Sequence, residues 1–67
     1  MRKNKKTQER IEKYYKEEFS NSNVLIKVMY NSIISMYTVW VIDSYWQHIE
    51  SVFAVSDIDY KKIKEKY

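Results

Sequence analysis

His48 is the only histidine in the chain and Glu50 lies two residues beyond it, so on a strand the two side chains would share a face. Such a pair can relay a proton or offer two ligands to a metal. Zinc sites need three or four ligands, however, and nucleophilic catalysis needs a nucleophile and oxyanion donors that nothing in the sequence identifies. Use at a surface or an interface accounts for His48 and Glu50 more simply. Asp57 and Asp59 resemble part of an acidic cation loop, but the glycine and terminal glutamate of a calcium loop are missing, and helix capping explains both residues. A chain with no glycine has no glycine-rich phosphate loop, and one with no cysteine has no disulfide, iron–sulfur cluster or thiolate zinc site. We therefore expect no catalytic residues, no cofactor and no metal, and a protein that is not an enzyme.

Two other groups of residues are suited to binding. Arg2, Lys3, Lys5, Lys6 and Arg10 cluster at the start, where they can neutralise phosphates and give salt-sensitive nucleic-acid binding, or simply keep a disordered segment in solution. Tyr30, Tyr37 and Trp46 are aromatic anchors that can fill pockets on a protein or stack on unpaired bases. The net charge of +3 is unevenly spread: residues 1–10 carry five bases and one acid, residues 21–60 one base and four acids, and residues 61–67 four bases and one acid. An acidic middle disfavours phosphates lying across it.

The elements that position these residues follow from periodicity. Ile11, Tyr14, Tyr15 and Phe19 form a helical stripe within residues 5–19, and the "SNSN" that follows favours a turn. "VLIKVMY" and "IISMYTVWVI" are β-branched and aromatic, and residues 31–32 between them suit a two-residue hairpin loop. Residues 43–44 suit a second, leading to "YWQHIESVFAV", which also fits a helix face but reads better as a third strand. Ser56 and Asp59 form a capping box for a last short helix, whose lysines gather at its C-terminal end. The expected fold is α+β: a small single domain, α-β-β-β-α, with a three-stranded antiparallel meander packed on two helices.

This element order is similar to that of double-stranded-RNA-binding domains, which would imply nucleic-acid binding. The sequence departs from that family's pattern: the glycine-bearing hairpin is absent, and Lys61 and Lys62 follow the acidic "SDID".

Two-residue loops would set Val28 opposite Ser35 and Val39 opposite His48, which sorts the strands into two faces. One face, with Met29, Met36, Trp40 and Phe53, is the expected core beneath the helices. The other, with Tyr30, Tyr37 and Trp46 beside Ser35, His48 and Glu50, has no helix left to cover it and reads as a protein interface.

The uncharged run of 15 residues at 28–42 is shorter than the roughly 20 needed to span a bilayer, and the charged start is not followed by the apolar stretch of a signal peptide. The expected location is the cytoplasm, that of the host if the protein is viral, since the Lys, Ile, Tyr and Asn bias suits an AT-rich phage or mobile element. From size, composition and the uncovered face, the function expected is that of a small non-enzymatic inhibitor. It would bind and block a larger host protein, such as a defence nuclease, in the manner of anti-CRISPR proteins. Tyr30, Tyr37, Trp46, His48 and Glu50 would make the contacts, and acidic residues Asp43, Glu50, Asp57 and Asp59 could imitate phosphates. The alternative is a nucleic-acid-binding or regulatory protein using its basic ends, and a homodimer is compatible with both.

Overall fold

The computed structural model of the protein describes residues 5–66. Its elements run α1 (Lys5–Glu18), β1 (Val24–Asn31), β2 (Met36–Asp43), β3 (Ile49–Ala54) and α2 (Asp57–Lys66), and the strands form one antiparallel sheet in the order β1-β2-β3. The α-β-β-β-α order and the α+β class expected from the sequence are those of the structure. No helix among the described residues is long and apolar enough to cross a membrane.

Helix α1 turns the stripe read from its sequence toward the sheet, burying Ile11 and Tyr15 and leaving the intervening Lys and Glu residues outside. It ends where Phe19 N–H donates to the Tyr15 carbonyl (3.0 Å) and Ser22 N–H to that of Phe19 (3.0 Å), as expected of "SNSN". Helix α2 begins at a cap: Asp59 N–H donates to Ser56 Oγ at 3.2 Å. It leans mainly on α1 and sends Ile63 into the core.

The core face of the sheet is Ile26 and Val28 of β1 and Tyr37, Val39 and Val41 of β2, joined by Val55 just after β3. Each buried Val or Ile contributes roughly 1.5–3 kcal/mol, so this small set must hold the domain against chain entropy.

This is the face that the sequence reading left open, and the correction has a physical cause. The hairpin loops are longer than two residues: residues 32–35 and 44–48 lie outside the strands, and Val28 pairs with Val39, which in turn pairs with Phe53. Ser51 faces Val41 and Ile49 faces Ile42, leaving Glu50 as the extra residue of a bulge. Ser35, His48 and Glu50, the polar residues that argued against burying this face, are thus removed from it, and Phe53 moves onto it. The opposite face keeps Lys27 at its middle, and burying an ammonium beneath a helix costs far more than leaving Leu25 or Met29 in water.

Candidate functional site

The face of the sheet turned away from the helices is a grid of three rows. Leu25, Ile42 and Ile49 form one row, Lys27, Trp40 and Val52 the next, and Met29, Thr38 and Ala54 the third, each row running across β1, β2 and β3 by direct pairing. With strands about 4.8 Å apart and same-face residues about 6.8 Å apart, the grid measures roughly 10 by 14 Å between its outer Cα atoms. Seven of its nine residues are apolar. Neither helix covers them: Leu25, Ile49 and Val52 are each about half exposed (51%, 52% and 47%). One charge interrupts the surface, the exposed Lys27, which forms no ion pair among the described residues. Thr38 Oγ1 donates to the Met29 carbonyl at 3.1 Å, so its hydroxyl is engaged within the sheet. Trp40 lies at the centre, half-buried among its neighbours, with its indole N–H buried and without an acceptor. An unpaired buried donor costs roughly 1–3 kcal/mol.

Of the residues expected at an interface, Tyr37 is fully buried in the core (0% exposed) and Tyr30 packs edge-on against it, ring centroids 5.1 Å apart. Neither presents a free aromatic surface, because both lie on the face that α1 covers. Trp46, 75% exposed, stands on the turn between β2 and β3 with Tyr45 edge-on against it at 4.8 Å. His48 is exposed in the same turn, with Nδ1 3.9 Å from Asp43 Oδ2. Asp43 organises this turn: its carboxylate accepts the Trp46 N–H at 2.7 Å, its carbonyl accepts the Gln47 N–H at 2.8 Å, and its N–H donates to the His48 carbonyl at 2.9 Å. His48 and Glu50 do not converge on a common ligand, since one lies in the turn and the other in the bulge. Among the described residues no group of three His, Cys, Asp or Glu side chains is placed to hold a metal.

The basic set divides. Arg2 and Lys3 lie outside the described residues, while Lys5, Lys6 and Arg10 sit on α1, where Glu9, Glu12, Glu17 and Glu18 are interspersed and Lys16 pairs with Glu12 at 2.8 Å. Among the described residues the bases of α1 are interspersed with acids rather than gathered on their own.

The sequence reading missed Leu25, Lys27, Met29 and Trp40 as residues of the open face. The signal was Lys27, the one base in residues 21–60, inside a strand otherwise apolar on both faces. Comparison with known proteins finds no matching family model, no matching curated protein and no matching solved structure.

Proposed function

We propose that the protein is a non-enzymatic binding protein that docks the open face of its sheet on another protein. The observation that carries this reading is the nine-residue grid, seven parts apolar, that neither helix covers. Apolar surface gathered in one flat patch on a chain this small is a strong source of association energy. Half-buried Trp40 stands at its centre and exposed Met29 at one corner, and aromatic anchors surrounded by aliphatic residues are the usual composition of a binding hot spot. Lys27 selects the partner. A second copy whose two-fold axis runs along the Lys27–Trp40–Val52 row would set two Lys27 ammonium groups against each other, with no acid in the grid to offset them. A foreign surface that is apolar with one carboxylate opposite Lys27 satisfies the same face. Blocking a larger protein is the form of action such a binder takes when the covered surface is the partner's working one.

The test has two steps. Light scattering of the purified chain across concentration should give the monomer mass, 8.3 kDa. A stable dimer that Val52→Glu returns to monomer would overturn the reading in favour of self-association. Proteins retained by the wild type and lost with Leu25→Glu and with Lys27→Glu should then be reconstituted as a binary complex. Each substitution should weaken that complex by about tenfold or more while leaving the circular dichroism unchanged. A complex that tolerates both substitutions removes the sheet face as the site.

A further inference from the structure

On the other side of the molecule, away from the open sheet face, the last turns of α1, the covered side of β3 and the first turn of α2 border an open, shallow cleft of about 350 Å³. It is lined by Tyr14, Tyr15, Phe19 and Phe53 and by two carboxylates, Glu18 and Asp59, with no base among its lining residues. The helix spacing builds half of it: Tyr14 and Glu18 are neighbours four residues apart on α1, and Phe19, just beyond its end, continues the turn above Tyr15 through its N–H bond to the Tyr15 carbonyl. The rings meet edge to face, Tyr14 on Tyr15 at 5.0 Å and Tyr15 on Phe53 at 5.2 Å, so they form one continuous aromatic cluster along the cleft.

Negative charge is left without a counter-ion at this corner. Glu18 lies in the last turn of α1, where the helix dipole disfavours an acid, and it forms no ion pair among the described residues to offset that cost. The chain itself also places a cation beside this wall. Lys66 places its ammonium 5.6 Å from the centroid of the Tyr14 ring and 3.4 Å from Glu17 Oε2, so the aromatic wall already receives one cation on its flank. In keeping with this, the Tyr15 hydroxyl is pushed up to about 12, by burial first and then by the negative charge of Asp59 and Glu18.

We propose that the cleft is a binding site for an organic cation, an alkylammonium or guanidinium group, held over the Tyr14, Tyr15 and Phe53 rings and neutralised by Glu18 and Asp59. Aromatic faces and carboxylates act on the same ligand through different terms. The rings attract the charge without demanding that it be fully stripped of water, and the carboxylates set its position at the mouth. A neutral group of the same shape gains only the apolar contact.

The proposal is tested by following the ring resonances of Tyr14, Tyr15, Phe19 and Phe53 by NMR at fixed ionic strength. Tetramethylammonium chloride, N-acetylarginine amide and the neutral isostere neopentyl alcohol are titrated in turn. Saturable shifts with the cations, at least about fivefold tighter than with the alcohol, are expected. Tighter binding of the arginine derivative identifies a partner's side chain as the source, and tighter binding of tetramethylammonium identifies a free quaternary ammonium. Glu18→Gln, at an exposed position that leaves the fold intact, should weaken cation binding about three- to tenfold and leave the alcohol unchanged, whereas Lys27→Glu should alter neither. Equal affinity for cation and alcohol, no saturable shift, or indifference to Glu18→Gln would each overturn the assignment.

Discussion

Tyr37 and Trp46 are both large aromatics, and their surroundings give them opposite weights. Tyr37 is enclosed by α1 and the strands, so Tyr37→Ala removes a ring from a packed core and should cost about 3–5 kcal/mol, enough to unfold much of a domain this small. Trp46→Ala, on an exposed turn whose bond to Asp43 runs through the backbone N–H, should change stability by no more than about 0.5 kcal/mol. Urea titration of the two variants separates them. Tyr15 adds a pH dependence. Its folded pKa, about 12, lies above the value of 10.0 it has when exposed, so the folded state holds its proton after the unfolded chain has lost it. The stabilisation is complete below pH 10 and is lost as pH rises from 10 toward 12. Tyr15→Phe should therefore show a shallower loss of stability than wild type across that window, measured by thermal unfolding.

At the scale of elements, what could be read from the sequence was the periodic part. The stripe of Ile11, Tyr15 and Phe19 marked α1, Ser56 marked the start of α2, and β-branched runs marked the strands. Loop length was not legible, because the residues that take the left-handed conformation are not glycines. Ser35 (φ 53°) and Gln47 (φ 57°) do so instead, in turns closed by side chains: Asn31 Oδ1 accepts the Ile33 N–H at 3.0 Å, and the Asp43 carboxylate does the same for the Trp46 N–H. From those loops the register followed, and from the register the choice of face. The strain at these two positions can be relieved. Gln47→Gly should raise stability by up to about 1 kcal/mol, since a left-handed non-glycine residue costs about that much. Ser56→Ala should lower it by about 1 kcal/mol through loss of the α2 cap. Chemical denaturation of the two variants gives shifts of opposite sign if the turn and cap are as described.

For the whole molecule the organising fact is that a three-stranded sheet has two apolar faces and the helices cover one. The existence of an uncovered apolar face was legible from the count of elements alone. Which face it was depended on Lys27 and on loops that take Ser35 and His48 out of the strands. With its register corrected, the uncovered surface changes from a tyrosine-rich patch to the aliphatic grid around Trp40, and the residues that decide binding change with it. The measurement that tests this most directly is hydroxyl-radical footprinting of the isolated protein, read residue by residue by mass spectrometry at several protein concentrations. The open-face account predicts heavy labelling of Leu25, Met29 and Val52 at every concentration, with Tyr37 protected. Labelling of Tyr37 with protection of Met29 would contradict the register and the choice of face, and protection of Met29 that grows with concentration would show the face covered by a second copy.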